Sequence, residues 1–143
     1  MSSRIEDLDP DVQDMALDFL QHCAREGITL RVTQSYRTLE EQAALYAQGR
    51  TAPGPIVTHA PPGYSFHNFG RAFDVCQMGA TPYPDPDTTA GRAWWEMLGT
   101  IGEHCGLEWG GRWKHPDRPH FEHHGGSTLA ALRLKAEDEG LLA

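Results

Sequence analysis

The first regular pattern begins at Asp9-Pro10. Val12, Met15, Ala16, Phe19, Leu20 and Cys23 then recur at steps of three and four residues, an apolar stripe that predicts a helix with one face on a core. Asp9 is placed to cap this helix, Pro10 suits its first position, and Gly27 ends it. The period then shortens to two. Ile28, Leu30 and Val32 alternate with Thr29, Arg31 and Thr33, the pattern of a half-buried strand. Thr38, with Glu41 three positions later, reads as a capping box for a second helix through Tyr46, which Gly49 stops. Residues 51–63 hold four of the ten prolines and two glycines, and so predict an irregular loop. Alternation resumes over 72–77, where Asp74 faces away from Phe73 and Val75.

A second proline-rich loop covers residues 80–87. The spacing over 89–104 predicts a third helix that buries Trp94, Leu98, Ile101 and Cys105. Residues 107–109 and 119–124 read as short strands flanking a turn at Gly110-Gly111, and Ser127 is placed to cap a last helix carrying Leu129, Leu132 and Leu134. No repeat, low-complexity tract or linker interrupts the chain. The expectation is one α+β domain over residues 1–143, with its polar loops gathered where the histidines lie.

With 39% hydrophobic and 22% charged residues, the chain has the make-up of an ordinary soluble domain. Its net charge of -8 argues against nucleic acid as a partner, because binding by counterion release needs a basic surface. Cys23, Cys76 and Cys105 are odd in number and far apart, which predicts free, buried thiols and suits a reducing compartment. The first residues hold no apolar run long enough for a signal peptide or a membrane span. The expectation is a cytoplasmic product, not inserted in a membrane.

Chemistry concentrates in two clusters, Ser65-Phe66-His67-Asn68-Phe69-Gly70-Arg71-Ala72-Phe73-Asp74 and Asp117-Arg118-Pro119-His120-Phe121-Glu122. His67 and Asp74 are seven residues apart, so they are not two ligands on one helical face, but a loop running into a strand can join them. Gly70 permits the turn. His120 and Glu122 share one strand face, and Phe121 takes the other. Two imidazoles and one carboxylate, His67, Asp74 and His120, can hold one zinc ion with a position left for water. Asp117 is a candidate general base for that water, which marks a zinc hydrolase.

Several of these residues have plainer readings. Any one of the eight histidines, taken alone, is more often solvated or hydrogen-bonded than a ligand. His59 lies in the loop leading to the first cluster, and His123 competes with His120 as a ligand. Glu122 either orients a ligand histidine or makes a structural hydrogen bond. Ser65 either contacts substrate or caps the turn. Arg37 is a candidate clamp for a carboxylate or an oxyanion, with a surface ion pair as the alternative. Trp109 and Trp113 are candidates to line a cleft, although core packing is commoner for tryptophan.

These residues resemble the zinc D,D-carboxypeptidase and L-alanyl-D-glutamate endopeptidase family that cuts peptidoglycan stem peptides. Its first motif, Ser-x-His-x-x-Gly-x-Ala-x-Asp, stands as Ser65, His67, Gly70, Ala72 and Asp74. Its second, in the endopeptidase branch, is matched by Asp117, Pro119, His120, Phe121 and Glu122. Ser35-Tyr36-Arg37-Thr38, Glu41-Gln42, Gly49-Arg50 and Trp109-Gly110-Gly111 extend the likeness over residues 28–122. His59 and the pair His123-His124 depart from the pattern as possible stray ligands.

The resemblance implies the fold of these peptidases and of the Hedgehog signalling domain, a small antiparallel sheet with flanking helices. It implies one zinc ion on His67, Asp74 and His120, Asp117 as catalytic base, and Arg37 as a catalytic contact. Ser65, Gln42 and Trp109 are then expected against substrate. Phage endolysins among these relatives reach the wall through a holin pore, which accounts for an enzyme without a signal peptide. The expected function is hydrolysis of the L-Ala-D-Glu bond of the stem peptide by a monomer. A D,D-carboxypeptidase, a D-Ala-D-Ala dipeptidase and a non-catalytic metal-bearing binding module remain the alternatives.

Overall fold

Four strands form one antiparallel sheet in the computed structural model, which describes residues 1–141. They are β1 (Leu30–Gln34), β2 (Ala72–Gln77), β3 (Glu108–Trp109) and β4 (His120–Glu122), in the order β1-β2-β4-β3. Four helices accompany them: α1 (Pro10–Arg25), α2 (Leu39–Ala47), α3 (Thr89–His104) and α4 (Leu129–Asp138).

Alternation divides the sheet into an apolar and a polar face. Phe73, Val75, Trp109 and Phe121 enter the core with Val12, Ala16, Phe19 and Cys23 of α1 and with Trp95, Leu98 and Ile101 of α3. The rings of Phe19 and Phe121 meet at 4.6 Å between centroids. Helix α3 approaches closely because it carries glycine where it crosses the aromatics. A Cβ on Gly99 would lie 2.1 Å from Trp109 Cε3, and one on Gly102 would lie 2.4 Å from Phe121 Cε1.

The capping box of α2 forms as expected, with Thr38 Oγ1 accepting from Glu41 N and Glu41 Oε1 accepting from Thr38 N. Asp9 does hold the capping position of α1, but its side chain makes no capping bond. Instead it accepts from Arg71 Nη1 at 3.2 Å, and Asp11 accepts from Nη1 and Nη2 of the same guanidinium at 2.7 and 3.0 Å. Arg71 also donates from Nε to the His123 carbonyl. This buried cation thus pins the start of β2 to the head of α1 and to the segment after β4.

Two expected packing details differ. Trp95 is the fully buried tryptophan of α3; it lies in line with Gly91, Leu98 and Gly102 and donates from Nε1 to the Pro84 carbonyl, while Trp94 is half-buried and packs against the edge of the core. Thr128, not Ser127, caps α4, whose Leu134 is exposed while Ala136 is buried. The cysteines are free, with Cys23 and Cys76 buried, and burial pushes the Cys23 thiol up to about 12. Among the described residues, no helix is long and apolar enough to cross a membrane.

Candidate metal centre

The polar face of the sheet carries the chemistry. Strand register sets Asp74 directly across from His120 and Ala72 across from Glu122. Ala72, with only a methyl group, is fully buried and lets larger neighbouring side chains close over its strand. His67 arrives from a 3-10 turn, Phe66–Phe69, that Ser65 opens by accepting from His67 N and that Gly70 closes at φ +69°. The chain beyond β1 grips this turn. Arg37 N donates to the His67 carbonyl, and Asn68 Nδ2 donates to the Arg37 carbonyl.

These constraints bring three donor atoms together. His67 Nε2 lies 3.3 Å and His120 Nδ1 3.1 Å from Asp74 Oδ1. His67 Nδ1 lies 2.8 Å from the Ser35 carbonyl, which can only accept, so Nδ1 carries the proton and Nε2 presents its lone pair. Glu122 Oε1 takes up His120 Nε2 on the side away from the cluster, which leaves His120 Nδ1 to face Asp74. Two imidazole lone pairs and a carboxylate oxygen therefore converge, all within 4.8 Å of one another. That donor set fits a zinc-class cation.

The electrostatics agree with a site built for positive charge. Burial alone would raise the Asp74 carboxyl, yet when the two imidazoles carry protons in place of a cation, hydrogen bonds from His120 and His67 hold it well below the usual carboxylate range. Burial would likewise lower His120, and Asp74 and Glu122 overcome it to hold the imidazole above its ordinary value. Asp117 is raised, by desolvation first and by the charge of Asp74, against the pull of His120, His67 and Arg37. Its Oδ2 lies 4.0 Å from His120 Nδ1.

A cleft of about 490 Å³ opens over this cluster and includes Ser65, Arg37, Asp117, Trp113 and Glu122 in its walls. Arg37 is buried, donates from Nη1 to Gln42 Oε1 at 2.8 Å and from Nη2 to Gln34 Oε1, and leaves Nε without a partner among the described residues. It is no surface ion pair. Two expected substrate contacts are not in the cleft wall. Trp109 is 2% exposed, because its strand position matches Phe121 on the apolar face, and Trp113 takes the place at the cleft. Gln42 is wholly buried, accepting from Arg37 and donating to the Ala60 carbonyl, so it holds Arg37 and the 51–63 loop. His59 is exposed and sits outside the cluster, and His123 Nδ1 turns to the Gly106 carbonyl.

A family model described as D-alanyl-D-alanine carboxypeptidase matches residues 58–123, the stretch that holds both clusters. The peptidoglycan L-alanyl-D-glutamate endopeptidase CwlK of Bacillus subtilis (strain 168) is 37% identical over 123 residues, covering 81% of this chain and 73% of its own. The chain belongs to this peptidase family. The solved L-Ala D-Glu endopeptidase ChiX of Serratia marcescens superposes with a TM-score of 0.54 at 22% identity, over 82% of this chain and 81% of that one. The vancomycin-resistance D,D-pentapeptidase VanY, solved with Zn(II), gives a TM-score of 0.60 at 18% identity, over 94% and 80%. The fold is that of the D,D-peptidases.

The peptidase's cleft continues outward into a cavity of about 640 Å³, where Val57, Tyr64 and Trp113 meet His59 and His115. Sequence reasoning passed over the residues that hold the peptidase site in shape. Ser35 acts through its carbonyl, Asn68 accepts from Gly63 N and ties the loop to Arg37, and Gln34 accepts from Arg37. Backbone carbonyls and amide side chains carry no spacing signal, so only the fold reveals them.

Proposed function

We propose that this peptidase is a zinc-dependent endopeptidase that hydrolyses the L-Ala-D-Glu bond of peptidoglycan stem peptides. The observation that carries the reading is the convergence of His67 Nε2, Asp74 Oδ1 and His120 Nδ1, with Asp117 Oδ2 beside His120. The bond assignment draws on the 37% identity to CwlK.

His67, Asp74 and His120 would hold one zinc ion. When bound there, zinc supplies a Lewis acid and lowers the pKa of a water in its open position to about 7. Asp117 is placed to take the proton of a water attacking the scissile carbonyl and to return it to the departing amine. Its raised carboxyl is the better matched to that exchange. Arg37 supplies fixed positive charge in the cleft wall, where Gln34 and Gln42 hold its fork, and it steadies the oxyanion or a carboxylate of the stem peptide. Ser65 shapes the wall while capping the turn that carries His67. Glu122 aligns His120.

Mass spectrometry of soluble products from purified peptidoglycan, with and without a zinc chelator, tests this. Fragments beginning at D-Glu, absent with chelator, are the expected result. Free D-Ala or D-Ala-D-Ala would move the enzyme to the carboxypeptidase or dipeptidase reaction. No release under either condition would leave a metal-bearing binding module.

A further inference from the structure

Glu122 stands between two histidines. Its Oε1 is 2.6 Å from His120 Nε2 in the cleft, while its Oε2 is bonded to His124 Nε2 on the far side. The same His124 nitrogen lies 3.1 Å from Glu108 Oε2. Strand register creates this group, because β3 and β4 set Glu108 directly across from Glu122. The ring of Phe66 stacks on His124 at 4.1 Å between centroids and 7° between planes, which fixes the direction of the imidazole.

Two carboxylates converge on one imidazole nitrogen in this group. One Nε2–H can donate well to only one carboxylate, and two carboxylates face it. Burial and then the neighbouring Glu122 charge push the Glu108 carboxyl above its ordinary value. One oxygen or nitrogen from each of Glu108, Glu122 and His124 lies within 4.8 Å of the others, the span of a shared cation. A cavity of about 380 Å³ with glycines 106, 125 and 126 in its wall opens beside them, with room for coordinating waters.

We propose that Glu108, Glu122 and His124 form a second divalent-cation site, of the zinc class, that shares Glu122 with the catalytic centre. One imidazole and two carboxylates neutralise the cation's charge, and solvent completes its shell. The site is partly open, so it binds more weakly than the cluster in the cleft. A cation on Glu122 Oε2 draws charge from the carboxylate that aligns His120. Occupancy of the second site therefore weakens the first.

Titration calorimetry with zinc chloride, with bound metal counted after dialysis, tests the proposal on the wild-type chain and on Glu108→Gln, His124→Ala and His67→Ala. Wild type is expected to take up two equivalents. Glu108→Gln and His124→Ala each weaken the second about tenfold or more and leave the first in place. His67→Ala removes the tighter event and keeps the weaker. Saturation of wild type at one equivalent that His67→Ala abolishes would overturn the proposal, as would a second equivalent that survives both Glu108→Gln and His124→Ala. A single weak event that depends on Glu108 and His124 would uphold the second site and sink the zinc reading of the cleft instead.

Discussion

Glu122 Oε1 lies 2.6 Å from His120 Nε2, so a buried carboxylate fixes which nitrogen of the imidazole faces His67 and Asp74. Such partners set both the orientation and the basicity of a ligand histidine. Glu122→Ala is expected to lower zinc affinity at the cleft by about 10- to 100-fold. Competition against a chromophoric chelator measures it, and an unchanged affinity would reduce Glu122 to a packing role.

Asp117 is proposed as the base and not as a ligand: its side chain is 53% exposed, its Oδ2 stays 4.0 Å from His120 Nδ1, and it lies outside the three-residue cluster. Asp117→Asn is expected to cut kcat by roughly 10²- to 10⁴-fold, the usual worth of a positioned general base. Zinc content by mass spectrometry should remain at the wild-type value. Loss of metal together with activity would make Asp117 a ligand.

Arg37 reaches Gln34 and Gln42 through separate nitrogens of its fork. A lysine keeps the charge but cannot span both. Arg37→Lys should therefore lower kcat/KM by about 10²-fold, in the range found for a lost oxyanion donor. Gln42→Ala should act in the same direction, though Gln42 is outside the cleft wall. Wild-type kinetics in both variants would remove this cation from the mechanism.

The tight crossing of α3 over the sheet makes a separate prediction about stability. Gly99→Ala places a methyl group 2.1 Å from Trp109 Cε3, and a packed aromatic cannot yield that distance without moving the strand. The cost expected from overpacking is about 1–3 kcal/mol. Calorimetry should show a lower Tm, and an unchanged Tm would mean that α3 rides higher on the sheet than its glycines indicate.

Acid should loosen the junction at Arg71. Hydrogen bonds from Arg71 hold the Asp11 carboxyl below its ordinary value, so Asp11 binds its proton less readily in the folded chain than in the unfolded one. The pair's contribution is thus full above the unfolded value of about 3.9 and is lost as pH falls through the lower folded value. Asp11 is half exposed, so Asp11→Asn should cost no more than about 1 kcal/mol at neutral pH. Urea unfolding should show that difference shrinking near pH 3, and an equal difference at both pH values would rule out the pairing as its source.

Local pattern was enough for the bounds of β2 and α3, since alternation over 72–77 and helical spacing over 89–104 each end at a clear change of composition. It was not enough to choose between Trp94 and Trp95, because they lie four and three residues before Leu98, on either side of it, and only the docking of α3 decides which is covered more fully. Trp109 was likewise misplaced: its direction depends on pairing with Phe121, a contact between strands too short to declare a face alone. That His67, Asp74 and His120 could meet was legible from the loop-to-strand spacing, but not the frame that brings them together. That frame arises from strand register and from a turn held by the Ser35 and Arg37 backbone. Gln42 looked like a substrate contact because nothing local reveals that Arg37 occupies its oxygen.

In β4, histidine, phenylalanine and glutamate follow one another, and each crosses the sheet from its predecessor. A candidate metal ligand, the carboxylate that aligns it and a hydrophobic anchor are interleaved on one three-residue ribbon. Inserting or deleting a single residue there would exchange an imidazole for a benzene ring, emptying the cleft and burying a polar group in the same event. Such a chain has no folded but ligandless version reachable by a change of length. A change of length is better accommodated in the 51–63 loop, part of which walls the outer cavity away from the sheet.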